Sequence, residues 1–122
     1  MLREWTFFFQ DMIEFCEKIL TYTNGLSRQQ FETSGQAYDA TVWNVSLFGE
    51  AAKNIPEDIR NQLPEIPWRE LIGIRNKLSH GYFGIDNNIL WDVIKHEVPK
   101  LYRELQRIRV ERPELFGGKS TA

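Results

Sequence analysis

The chain of 122 residues contains one cysteine, two histidines and two methionines. Cys16 alone excludes an intrachain disulfide framework, and one Cys with two His cannot build a structural zinc site. Long apolar runs are also missing. Phe7-Phe8-Phe9 is hemmed in by Arg3, Glu4, Asp11, Glu14, Glu17 and Lys18, so neither a signal peptide nor a membrane span fits. A cytoplasmic protein is expected. No strand run, repeat or low-complexity stretch stands out. Nor is there an excess of one charge: 15 Lys+Arg face 17 Asp+Glu, for a net charge of −2. That balance argues against a protein that coats nucleic acid by bulk charge.

What is present points to one globular domain. Hydrophobic residues make up 42% and charged residues 26%. Four Trp, eight Phe and four Tyr give bulk for one core, and the length is short for two. The near-neutral charge hides an asymmetry. Residues 1–66 carry 5 basic and 10 acidic side chains, residues 67–122 carry 10 and 7. Lys100, Arg103, Arg107, Arg109 and Arg112 crowd the end, opposed by Glu104 and Glu111 alone. A solvated helix face is the favoured reading of that cluster over a binding surface.

Helical periodicity dominates. Trp5, Phe8, Phe9, Met12, Cys16, Ile19 and Leu20 recur at three- and four-residue steps and predict a helix ending near Asn24-Gly25. Ser27 is placed to cap a short helix over 28–33, closed by Gly35. A third helix over 36–54 is apolar on more than one face and should be central. Pro56, Pro64 and Pro67 punctuate a connector with one helical turn at 57–62. Pro67 suits the first position of a fourth helix running to Gly81 or Tyr82. Asp86 or Asn87 should cap a fifth, which Pro99 should kink or split. The expected architecture is an all-α, up-and-down bundle of four to five helices over 1–112, with 113–122 as a mobile tail.

One cluster is chemically unusual: Arg75-Asn76-Lys77-Leu78-Ser79-His80-Gly81-Tyr82. On an ideal helix of about 100° per residue, Ser79, Asn76, His80 and Tyr82 fall on the sector around Arg75, while Lys77 points away. Asn76 and His80 are i,i+4 neighbours, so the amide could orient the ring. An imidazole moves protons near neutrality, and a guanidinium binds phosphate through a planar fork. Together they suit metal-free cleavage of RNA, whose 2′-hydroxyl is an internal nucleophile. Spacing alone, however, favours a structural helix–helix contact.

The wider string changes that balance. It resembles the Arg, four residues, His, any residue, Tyr motif of the HepT-type toxins of the HEPN superfamily. Phe48-Gly49-Glu50-Ala51, Ile66-Pro67-Trp68, Ile72-Gly73-Ile74, Tyr82-Phe83-Gly84-Ile85-Asp86 and Trp91 resemble its other segments, so the likeness covers about 37–101. The resemblance implies a HEPN-like helical bundle that pairs as a homodimer, with a composite RNase cleft near the interface. It implies Arg75 and His80 as the catalytic pair and Asn76 as a supporting residue. Tyr82 matches the tyrosine to which a minimal nucleotidyltransferase (MNT) antitoxin adds AMP. Glu50 is expected to pair with Arg75 across helices and orient it. No cofactor is expected in this chain; the antitoxin would bind the nucleotide and metal. The alternative is a non-catalytic adaptor for such a nucleotidyltransferase. Trp43, Trp68 and Trp91 read as core or interface rather than base-stacking residues. His96 reads as a surface residue and Cys16 as core.

Overall fold

The computed structural model describes residues 4–82 and 84–117, and the fold is mostly helical as expected. The first apolar stripe forms α1 (Trp5–Thr23), which buries Phe9, Met12, Ile13, Cys16 and Ile19. Gly25, at φ 78°, takes the left-handed turn after it. Burial pushes the Cys16 thiol well above its ordinary value of 9.0, as befits a core residue. Ser27 caps α2 (Arg28–Glu32) in a reciprocal capping box: its hydroxyl accepts from the Gln30 N–H, and the Gln30 side chain accepts from the Ser27 N–H. Gly35 does not close α2. Thr33 and Ser34 make that turn, and Gly35 opens α3 (Gly35–Lys53).

α3 is central. It packs along α1 and buries Thr41, Asn44, Val45, Phe48, Gly49, Ala51 and Ala52. Gly49 marks its closest approach to the rest of the chain. A Cβ there would lie 3.0 Å from the carbonyl oxygens of both Leu71 and Ile72. The connector contains α4 (Glu57–Gln62), the expected single turn, with Glu57 and Asp58 in its first turn.

The expected fourth helix is corrected in two ways. It breaks at Gly73 into α5 (Trp68–Ile72) and α6 (Ile74–Leu78), with Pro67 just ahead of the first helical residue. It also stops at Leu78, because Ser79 turns to extended backbone (φ −66°, ψ 135°). A short antiparallel hairpin follows, β1 (Ser79–His80) with β2 (Gly84–Ile85), pairing Ser79 with Ile85 and His80 with Gly84.

Asp86 caps α7 (Asn87–Asp92), accepting from the N–H groups of Asn88 (3.0 Å) and Ile89 (3.1 Å). Pro99 does not break the run that follows. A π-helical segment, Val93–Glu97, leads into α8 (Val98–Glu111), where Pro99 lies in the first turn and its missing N–H is tolerated. α8 returns along α1, burying Val98, Leu101, Leu105 and Ile108. Tyr102 donates to the Glu17 carboxylate at 2.9 Å, and that bond holds the phenol above its ordinary range.

Pro113–Phe116 forms a 3₁₀ turn, and the Phe116 ring packs 4.9 Å from that of Phe9 and 5.3 Å from that of Trp5. The first residues of the expected tail are therefore docked on the bundle; 118–122 lie outside the described residues. Among the described residues, two of the five cations in the terminal basic cluster are ion-paired and a third is hydrogen-bonded to an amide. Arg107 meets Glu104 (2.5 Å), Glu111 (2.9 Å) and Glu65 (3.3 Å), Arg112 meets Glu114 (2.7 Å), and Arg109 donates to Gln10. No helix of the described residues is long and apolar enough to cross a membrane.

Candidate functional site

The motif residues do not share one helix face, because the helix ends before most of them. Arg75 and Asn76 stand on α6, Ser79 and His80 on β1, and Tyr82 on the hairpin turn, all exposed. Leu78, 2% exposed, anchors the junction in the core. The Ser79 hydroxyl donates back to the Arg75 carbonyl at 2.9 Å, and the Asp86 N–H donates to the Leu78 carbonyl at 2.7 Å. The end of α6 is thereby stitched to both strands. Among the described residues no hydrogen bond joins Asn76 to His80, so the expected i,i+4 orientation of the ring is absent; the backbone has left helical geometry between them.

Two glycines make the hairpin possible. Gly81 adopts φ 66° at the turn. A Cβ on Gly84 would sit 2.3 Å from the His80 carbonyl oxygen, so the strands can approach there only without a side chain. His80 is thus held by main-chain pairing, and Tyr82 projects from the tip, 91% exposed.

Glu50 reaches this edge from α3. Its Oε1 lies 3.9 Å from Arg75 Nη1 and 4.0 Å from Lys53 Nζ. Both partners of the Glu50–Arg75 pair are more than half exposed, so the pair adds little to the stability of the fold. Their proximity follows from Gly49, the residue before Glu50, which lets α3 touch the backbone at the end of α5 one residue before Gly73.

The three tryptophans separate. Trp68 is buried and donates through Nε1 to the Leu63 carbonyl at 2.9 Å; Trp91 is half-buried against Phe31. Trp43 is 63% exposed, so of the two expected places, core or interface, it does not take the core. It lines an open depression of about 450 Å³ with Asp39, Ser46, Arg75, Ser79 and Ile85. Sequence reasoning missed this wall of the site, although a signal exists. Asp39, Trp43, Ser46 and Glu50 are spaced by four, three and four residues, which aligns them on one face of α3. His96 lies on the surface as expected, 4.0 Å from Asp92.

A fixed cation, an imidazole and a phenol are therefore all solvent-facing within the short stretch 75–82, and the cation borders a concave surface. Among the described residues no group of three or more His, Cys, Asp or Glu side chains is arranged to hold a metal ion.

Residues 12–108 match the family model described as ribonuclease HepT-like. The chain is 37% identical over 101 residues to "Putative RNase MJ1216" of Methanocaldococcus jannaschii, covering 83% of this chain and 84% of that one. It is 35% identical over 102 residues to "Probable ribonuclease HepT" of Thermococcus cleftensis, covering 84% and 93%. No solved structure matches it. With four-fifths of its length matched by the family model and by relatives above 30% identity, the chain is a member of the ribonuclease HepT-like family.

Proposed function

We propose that the protein is a cytoplasmic, metal-independent endoribonuclease, the toxin of a HEPN/MNT toxin–antitoxin pair, with Arg75 and His80 as its catalytic residues. The observation that carries this reading is the shared exposed edge. α6 presents the Arg75 guanidinium on the wall of an open depression with Glu50 beside it, and β1, which follows directly, exposes the His80 imidazole.

The chemistry follows from these groups. The RNA 2′-oxygen attacks the adjacent phosphorus, and the 5′-oxygen leaves. A cyclic phosphate forms on one fragment and a hydroxyl on the other. His80 accepts the proton from the 2′-hydroxyl or delivers one to the departing oxygen. Arg75 stabilises the negative charge that builds on the phosphoryl oxygens. Asn76 supports the phosphate, and Glu50 positions Arg75. DNA lacks the internal nucleophile and is inert.

One chain presents one such edge, fully open to water. A homodimer that brings two edges together would enclose the phosphate and concentrate positive charge around it. Tyr82, at the hairpin tip, is accessible to a partner enzyme. Its phenolic oxygen would take AMP from ATP, with pyrophosphate leaving, and the added phosphate and purine would repel and obstruct RNA.

The test is RNA cleavage by the purified protein in EDTA. Cleavage should persist there and fall at least ~100-fold in Arg75→Ala and His80→Ala. Equal rates in all three proteins would refute the assignment. With a cognate nucleotidyltransferase and ATP, mass spectrometry should place AMP on Tyr82; an adduct that survives Tyr82→Phe would place it elsewhere.

A further inference from the structure

The depression beside Arg75 has a chemistry of its own. Its α3 wall presents the exposed Trp43 ring, with Val42 beside it as an apolar partner. Around the ring stand Asp39, Ser46 and Ser79. Asp39 makes no hydrogen bond or ion pair among the described residues. Ser46 already donates its hydroxyl proton to the Trp43 carbonyl at 2.7 Å, and Ser79 donates its own to the Arg75 carbonyl. The Tyr38 phenol is spent on the Asn87 side chain. Apart from Arg75 and the Trp43 indole N–H, the side-chain polar groups lining the hollow are left as acceptors: the Asp39 carboxylate oxygens and the lone pairs of the hydroxyls.

An aromatic face bordered by acceptors and one guanidinium fits a flat ring with a donor edge, attached to a phosphate. A nucleobase in an RNA strand is such an object, and bases stack on tryptophan in single-stranded recognition. Among the four bases, guanine presents adjacent ring N–H and amino donors, which match the two oxygens of one carboxylate. Uracil offers a single N–H between two carbonyl oxygens and matches poorly. The scale also fits. Trp43 and Glu50 are seven residues apart on α3, about 10 Å along its axis. A nucleotide whose phosphate sits at Arg75 can place its base against Trp43 over that span.

We infer that the Trp43 depression is a nucleobase subsite, in which Trp43 stacks on a guanine next to the scissile phosphate and Asp39 reads its donor edge. This rests on the reading of the chain as an RNase and adds its base preference. Trp43 and Asp39 are here specificity residues; neither is assigned a part in the bond-breaking step.

Two measurements test it. In the first, short RNAs that differ in a single base are cleaved by the wild-type protein, Trp43→Ala, Trp43→Phe and Asp39→Asn, with self-association followed by sedimentation. The expected result is cleavage next to G. Trp43→Ala should lose about tenfold or more in kcat/KM with unchanged self-association. Trp43→Phe should retain most of it, and Asp39→Asn should lose the preference for G. In the second, binding of GMP and UMP is followed by ligand-observed NMR, which needs no cleavage. GMP should bind in preference to UMP, and Trp43→Ala should abolish the difference. Unchanged base preference in Trp43→Ala and Asp39→Asn overturns the subsite. So does a Trp43→Ala loss that tracks lost self-association, because the ring then belongs to an interface with a second copy. If the wild-type protein cleaves no RNA, the RNase reading fails, and GMP binding alone decides whether the subsite stands.

Discussion

At the scale of single residues, the site depends on side chains that are absent. Gly84 faces the His80 carbonyl so closely that a methyl group cannot enter without moving the strands. Of the two strands Ile85 packs against the core while Ser79, His80 and Gly84 are exposed, so displacement of the hairpin should leave the bundle folded. We expect Gly84→Ala to lower RNA cleavage at least ~10-fold while its thermal midpoint shifts by only a few degrees, as read by circular dichroism. Retained cleavage would mean that His80 does not need this backbone placement. The residue types of the site were legible in the sequence; their arrangement was not. A wheel assumes a continued helix, and here the helix yields at Leu78 to two-residue strands too short for any alternating pattern to reveal. The signal that was available is the pair Gly81 and Gly84 around the tip: two permissive positions three apart mark a tight turn better than a helix end.

At the scale of elements, capping decided what the sequence showed well. Ser27 and Asp86 both cap as their positions suggested, because short polar side chains satisfy the first N–H groups of a helix. Asp86 also follows directly on β2, so it fixes where the hairpin stops and α7 starts. Replacement by alanine should destabilise the fold by ~1 kcal/mol. A lowered urea midpoint at unchanged m-value would register that loss, and no shift would show the cap to be idle. Helix ends set by tertiary contacts were less legible. Gly35 opens a helix instead of closing one, and Gly73 interrupts what periodicity drew as one piece. Pro99 is absorbed by a π-helical turn ahead of it, a solution no local rule selects. Phe116 finds Trp5 and Phe9 from the far end of the sequence, and such long-range packing leaves no mark in a local window.

At the scale of the molecule, charge is distributed differently from what counting suggests. The basic C-terminal segment looks like a binding surface only while its partners are unknown. Glu65, Glu104, Glu111 and Glu114 occupy Arg107 and Arg112, which favours the solvated-face reading. The proposed attraction for RNA is centred on the edge that carries Arg75, and a homodimer would present two such edges. The proposed homodimer should sediment at about twice the 14.4 kDa chain mass at micromolar concentration. A monomer that still cleaves RNA at full rate would remove the need for a composite cleft.

The contact at Gly49 has one more consequence. Most neighbouring helices are held apart by side chains, so each exchange of a methylene in the core resets their separation. Between α3 and the end of α5 the spacer is main chain against main chain. That gap is a fixed gauge, indifferent to which apolar residues fill the interior around it. Glu50 stands next to this contact on α3, and Arg75 stands three residues beyond the Ile72 carbonyl. The core can drift through many substitutions while the two charged groups keep their distance.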